Sequence, residues 1–171
     1  LLHKLGTGRA GTVWLAVHIG LEEYRAIKRI SKRDADYDTF RREALVLKEL
    51  RHPGIPMIYD LEEDSEFFYL IEEYLEGYSL YALIANQGPI QEAEAVRYGM
   101  QVCGLVAYMH SACEIPILHL DLQPNNLIIC NGTVKLIDFD HAAGCRWANI
   151  APKRFGTVGC AAPEQYASDR M

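Results

Sequence analysis

His119-Leu120-Asp121-Leu122-Gln123-Pro124-Asn125-Asn126, followed a short hairpin later by Leu136-Ile137-Asp138-Phe139-Asp140, is the stretch around which the chain is organised. It puts an aspartate and an asparagine into one loop and a second aspartate at the end of an apolar strand. Such a set of oxygen ligands and proton acceptors suits chemistry on a phosphate held by Mg²⁺, because that ion prefers a few carboxylates plus substrate oxygens to an all-protein cage. The competing reading is a plain Asp/Asn-rich turn, since these side chains bond their own backbone.

The residues upstream supply further pieces. Leu5-Gly6-Thr7-Gly8-Arg9-Ala10-Gly11-Thr12-Val13 sets three glycines between two strand-like segments. Glycine lets backbone approach a ligand closely and offer N–H groups to anionic oxygen. A dinucleotide fold would require a helix directly afterwards, whereas residues 12–19 read as strand. A flap over phosphates and an ordinary tight hairpin both fit. In Tyr24-Arg25-Ala26-Ile27-Lys28-Arg29-Ile30 the alternation predicts a strand with Ala26 and Lys28 on one face. Residues 37–50 carry Phe40, Ala44, Leu47 and Leu50 at helical spacing, with Glu43 at the border of that stripe, from where it can meet Lys28. His52-Pro53-Gly54 ends the helix.

Residues 57–61 and 67–75 read as two strands around the acidic turn Glu62-Glu63-Asp64-Ser65-Glu66, and strand composition gives way to helix composition at residues 73–77, the expected hinge between two lobes. A short helix is predicted over residues 79–86 and a long one over 91–111, with Ala95, Val102, Leu105, Val106 and Met109 toward a core. Strands at 126–130 and 133–137 flank Asn131-Gly132, a strong hairpin signal.

At 171 residues, half of them apolar, the chain has room for one domain or two small lobes with a sizeable core. A net charge of −6 and the lack of any dense Lys/Arg run argue against a nucleic-acid partner. The five cysteines are widely spaced without a C-x-x-C pair, as expected of reduced thiols in a cytoplasmic protein. No apolar run approaches the roughly 18 residues that span a bilayer. The opening Leu1-Leu2-His3-Lys4 has no Met and no signal-like segment, so the expectation is a piece of something longer, such as the cytosolic domain of a larger protein.

In this order the pieces resemble a eukaryotic-type Ser/Thr protein kinase, of the kind also common in bacteria. The glycine loop resembles the nucleotide-covering flap, Ala26-Ile27-Lys28 the V-A-I-K strand, His119-Leu120-Asp121 through Asn126 the H-R-D catalytic loop, and Asp138-Phe139 the start of D-F-G. Gly156-Thr157-Val158-Gly159-Cys160-Ala161-Ala162-Pro163-Glu164 resembles the segment that closes the activation loop and ends in A-P-E.

The resemblance implies a bilobal α+β fold. Residues 1–75 would form an N-terminal lobe, an antiparallel sheet with one main helix, and residues 76–171 an incomplete, mostly helical C-terminal lobe, because the family needs further helices after Glu164. It also implies ATP with Mg²⁺, or Mn²⁺ in its place, and a protein substrate bearing a Ser/Thr hydroxyl. Lys28 would hold the α and β phosphates and Glu43 would hold Lys28; Asn126 and Asp138 would ligate the metal, and Asp121 would accept the hydroxyl proton. Leu5, Val13, Ala26 and Ile128 match the adenine sandwich, backbone from Glu73 to Leu75 its edge, and Gly6, Gly8 and Gly11 the flap. Leu47, His119 and Phe139 match a packed column, for which a plain core role is equally adequate.

Four positions depart from the family pattern. Leu120 replaces an arginine that grips activation-loop phosphate, and no Ser, Thr or Tyr occurs between Asp140 and Gly156, so phosphorylation within that stretch is not expected to switch the protein on. Gln123 replaces a lysine that neutralises the transferring phosphate, a loss worth about 3 to 4 kcal/mol. Asp140 replaces a glycine, and Glu72 sits at the gatekeeper position, where a carboxylate needs a partner or water. The alternatives are a pseudokinase that binds ATP or a partner, and a small-molecule phosphotransferase resembling aminoglycoside kinases.

Overall fold

The computed structural model describes residues 1–8, 11–35, 37–144 and 156–166. It divides into two compact units, Leu1–Arg51 with Pro56–Leu75, and His52–Ile55 with Glu76–Met171.

The first unit is a five-stranded sheet with one helix. Strands β1 (Lys4–Thr7), β2 (Thr12–His18), β3 (Glu23–Ser31), β4 (Ile58–Glu63) and β5 (Phe67–Glu73) lie in the order β1-β2-β3-β5-β4, each pair antiparallel. β3 has buried Arg25, Lys28 and Ile30 within its nine residues. Helix α1 (Tyr37–Glu49) buries Phe40, Ala44, Val46 and Leu47. Glu43, expected at the border of this stripe, is itself buried. The Phe40 ring stacks on Phe68 of β5 at 4.8 Å and 8° between planes, which fixes α1 against the sheet. Burying each such large side chain stabilises the unit by about 1.5–3 kcal/mol.

The second unit has β6 (Tyr78–Ser79), α2 (Leu80–Gln87), α3 (Glu92–Ser111), a 3-10 turn (Pro124–Asn126), β7 (Leu127–Cys130), β8 (Thr133–Leu136) and α4 (Pro163–Tyr166). Ser79 caps α2 by accepting from the Ala82 N–H, and Gly88 ends it at φ 82. Strand β6, which local composition does not predict, adds to the β7–β8 hairpin to make the sheet β6-β7-β8. At the hairpin tip Asn131 and Gly132 have φ 49 and 78, the left-handed pair that matches the strand twist. Residues 124–126, of which Asn126 reads from sequence as the start of a strand, instead form the 3-10 turn.

Helix α3 buries Tyr98, Leu105 and Met109, while Ala95, predicted for the core, is exposed. Gln101 on this helix acts as a bridge to the hairpin: its Nε2 donates to the Gly132 carbonyl at 3.1 Å and its Oε1 accepts from the Val134 N–H at 2.9 Å. The segment His52–Ile55, between two elements of the first unit in sequence, packs with the second. The Leu136 N–H donates to the Gly54 carbonyl at 2.8 Å. A Cβ on Gly54 would lie 2.5 Å from Leu105 Cδ2, so glycine lets the Leu105 side chain pack directly on this backbone. Among the described residues no helix is long and apolar enough to cross a membrane.

Candidate active site

In the first unit the strand register puts Val13, Lys28 and Leu70 side by side on β2, β3 and β5, with Leu15, Ala26 and Glu72 in the parallel row. Lys28 Nζ donates to Glu43 Oε2 at 2.8 Å, with side-chain exposures of 9% and 4%. A lysine is rarely buried in this way without a charge partner. The exposed pair Lys32–Glu63 has nearly the same separation, 2.7 Å, with 29% and 56% exposure. Burial is what separates the two pairs, since an exposed pair contributes about 0–1 kcal/mol.

The glycine loop joins β1 to β2, and the Gly8 N–H donates to the Gly11 carbonyl at 2.9 Å. A Cβ on Gly11 would meet the Arg29 carbonyl oxygen at 2.3 Å, so this glycine serves close packing against β3. Cβ atoms on Gly6 and Gly8 would meet nothing within 4 Å, so packing does not account for glycine there. Arg9 and Ala10 lie outside the described residues. Leu5 is exposed, and Val13 and Ala26 are half-buried. The Glu73 N–H donates to the Met57 carbonyl at 2.8 Å and the Glu73 carboxylate accepts from the Met57 N–H at 3.2 Å. Of the edge expected from Glu73 to Leu75, the Glu73 N–H is therefore committed to Met57.

In the second unit one carboxylate gathers the loop. Asp121, 6% exposed, accepts at Oδ2 from Gln123 Nε2 (2.8 Å) and Asn126 Nδ2 (3.0 Å), and at Oδ1 from Thr157 Oγ1 (2.7 Å). Asn126 Nδ2 also donates to the Asp121 carbonyl at 2.9 Å. Three of a carboxylate's roughly four acceptor sites are thus filled by neutral donors. With its nitrogen committed, Asn126 offers a cation its Oδ1, the hard oxygen that Mg²⁺ prefers. The Asn126 carbonyl accepts from the Ile137 N–H at 2.9 Å, tying this loop to the residue before Asp138.

His119 fixes the backbone from behind. Its Nε2 pairs with the Ile137 carbonyl at 3.1 Å, and its Nδ1 accepts from the Asp121 N–H at 3.3 Å. That pattern is a neutral ring with its proton on Nε2. Burial pushes its pKa below the usual 6.5, against the opposing pull of the Ile137 carbonyl. The ring packs edge-on against Phe139 at 4.8 Å. Leu120 and Asp138 have φ 63 and 65, left-handed conformations that cost non-glycine residues on the order of 1–3 kcal/mol each and recur where a loop is built for function. Ile128, on β7, is half-buried.

Two side chains without any local sequence signal also hold this loop. Thr157 reaches Asp121 across 36 residues, and Gln165 Nε2 donates to the Leu120 carbonyl at 2.8 Å across 45. Residues 145–155, most of the stretch that lacks a hydroxyl side chain, lie outside the described residues.

Known protein kinases are similar to this chain in sequence. The chain is 34% identical over 173 residues to the serine/threonine-protein kinase PrkC of Bacillus subtilis, covering 96% of this chain and 26% of that protein. It is 33% identical over 167 residues to calcium-dependent protein kinase 5 of Plasmodium falciparum, covering 95% and 29%, and 34% identical over 171 residues to an Aurora kinase of Eremothecium gossypii, covering 94% and 44%. The chain therefore spans between 26% and 44% of the length of these relatives. The family model for the protein kinase domain matches residues 1–170, and the chain belongs to the protein kinase family.

Proposed function

We propose that the protein transfers the γ-phosphoryl group of ATP to serine or threonine hydroxyls of protein substrates. The observation that carries this reading is the buried Asp121 carboxylate, oriented by Gln123, Asn126 and Thr157 with one acceptor site to spare. That remaining site takes up the proton of the attacking hydroxyl. Lys28, locked by Glu43, serves the α and β phosphates. Asn126 and Asp138 hold Mg²⁺, or Mn²⁺, which when bound supplies charge compensation on the phosphate oxygens. Gly6 and Gly8, free of packing demands, let the flap backbone approach those phosphates, and Leu5, Val13, Ala26, Ile128 and the Glu73–Leu75 backbone receive the adenine.

The Thr157 bond to Asp121 supports a protein substrate over a small alcohol, because it ties the base to the segment that the resemblance assigns to positioning a peptide. One observation favours a second reading, an ATP-binding pseudokinase: Gln123, where the family has a charged lysine, spends its amide on Asp121. Calorimetry with Mg·ATP, run beside phosphorylation of seryl peptides and of small alcohols, separates the readings. Binding with transfer to peptides is expected. Binding without transfer to either would establish the pseudokinase, and transfer to alcohols alone the small-molecule enzyme.

A further inference from the structure

Asp121 is held through its carboxylate by three donors, yet a carboxylate can be aimed only if the backbone that carries it is fixed. The peptide group joining Leu120 to Asp121 is planar and rigid, so its carbonyl and its N–H orient together. Its N–H donates to His119 Nδ1 at 3.3 Å. Its carbonyl accepts from Gln165 Nε2 at 2.8 Å. The same Gln165 amide uses its oxygen to accept from the Ala162 N–H at 3.1 Å, while the Gln165 N–H donates to the Ala162 carbonyl at 3.0 Å.

We propose that Gln165 is a positioning residue for the reaction inferred above, its side-chain amide clamping the Leu120–Asp121 peptide to the 156–166 segment so that Asp121 keeps its aim. The inference rests on the phosphotransfer reading for its kinetic consequence and on geometry alone for its structural one. Leu120 has φ 63, a conformation a leucine keeps only where its surroundings impose it, and Gln165 supplies one such constraint directly on the carbonyl. The task needs a donor and an acceptor on one planar group, and the glutamine amide carries both. Thr157 and Gln165 then tie one segment to Asp121 at two points, the carboxylate and the preceding peptide. Local rearrangement of that segment would misalign the base without touching the nucleotide.

The test compares the full-length wild-type protein with Gln165→Glu and Gln165→Met, using Mg·ATP and casein as substrates. Glutamate keeps the acceptor for Ala162 but, when ionised, loses the donor for Leu120; methionine loses both. Each variant should lower kcat about tenfold at pH 7.5, the size set by losing one neutral hydrogen bond, with the ATP KM unchanged within twofold. For Gln165→Glu the ratio to wild type should recover as the pH is lowered to about 4.5, close to the ordinary glutamate pKa of about 4.3, because a protonated carboxyl donates again, whereas Gln165→Met should show no recovery. Amide hydrogen exchange at Asp121 should quicken at least several-fold in both variants. A kcat within twofold of wild type with unchanged exchange overturns the proposal. So does a loss that is the same in both variants at every pH and tracks a fall in Tm. If wild type itself transfers no phosphate the phosphotransfer reading fails, and exchange at the Asp121 amide alone then decides whether Gln165 holds that peptide.

Discussion

Replacing Glu43 by glutamine removes one charge from a pair whose side chains are only 9% and 4% exposed and whose atoms lie 2.8 Å apart. Breaking a buried pair typically costs about 3–5 kcal/mol. Glutamine retains a carbonyl oxygen that can accept from Lys28 Nζ, so the expected loss is the lower end, about 3 kcal/mol. The matched control is Glu63→Gln, which breaks the Lys32–Glu63 pair of nearly equal length but 29% and 56% exposure, for an expected loss below about 1 kcal/mol. Urea unfolding followed by the fluorescence of Trp14, which sits in β2, reads the first unit directly when Trp147 is replaced by phenylalanine. The urea midpoint should fall well below wild type in Glu43→Gln and barely move in Glu63→Gln. Equal losses in the two variants would refute the argument that burial, rather than geometry, sets the worth of the pair.

Gln123→Lys should raise kcat, by up to on the order of 10²-fold, because the lysine adds charge at a position now served by a neutral amide; steady-state phosphotransfer measures it, and an unchanged kcat would remove Gln123 from the rate argument. Asp64 accepts from the Tyr69 hydroxyl and from the Glu66 and Phe67 N–H groups at 2.7 and 2.8 Å, bonds that hold its pKa below the usual 3.8, the tyrosine contributing most. A lowered folded-state value means stability present above 3.8 and lost as pH falls through the folded pKa; NMR titration should find the value below 3.8 and Tyr69→Phe should move it back up. The same bond raises the Tyr69 pKa above 10.0, so that part of its stabilisation is present below 10.0 and disappears as pH climbs through the raised value.

The parts of the fold legible in the sequence are those with a local period or a local conformational demand. Strand alternation puts Ala26 and Lys28 on one face, helical spacing puts Glu43 beside Phe40 and Leu47, and Asn131-Gly132 announces its own turn. What escapes such reading is long-range and carried by single side chains. Gln101 bridges to the hairpin tip across 31 residues, Thr157 meets Asp121 across 36, and Gln165 meets Leu120 across 45, and in each case the bond depends on tertiary placement that no neighbouring residue encodes. His52-Pro53-Gly54 reads only as the stop that ends α1, yet a backbone bond from Leu136 and a close glycine contact with Leu105 draw His52–Ile55 into the second unit. Ala95 shows the opposite failure: its spacing suits the apolar stripe of α3, but a stripe says which residues share a face and not how far along the helix the packing extends.

In the proposed reaction Asp121 takes the proton from a protein hydroxyl while ATP gives up its γ-phosphate. The decisive experiment is transfer of ³²P from labelled ATP to a seryl protein, comparing the full-length protein with its Asp121→Asn variant. Wild type should label the substrate, and the variant, which keeps the shape of the side chain but can no longer accept a proton, should fall by about 10²- to 10⁴-fold while still binding Mg·ATP. Equal labelling by the two, or no labelling by wild type under conditions where Mg·ATP binds, would contradict it.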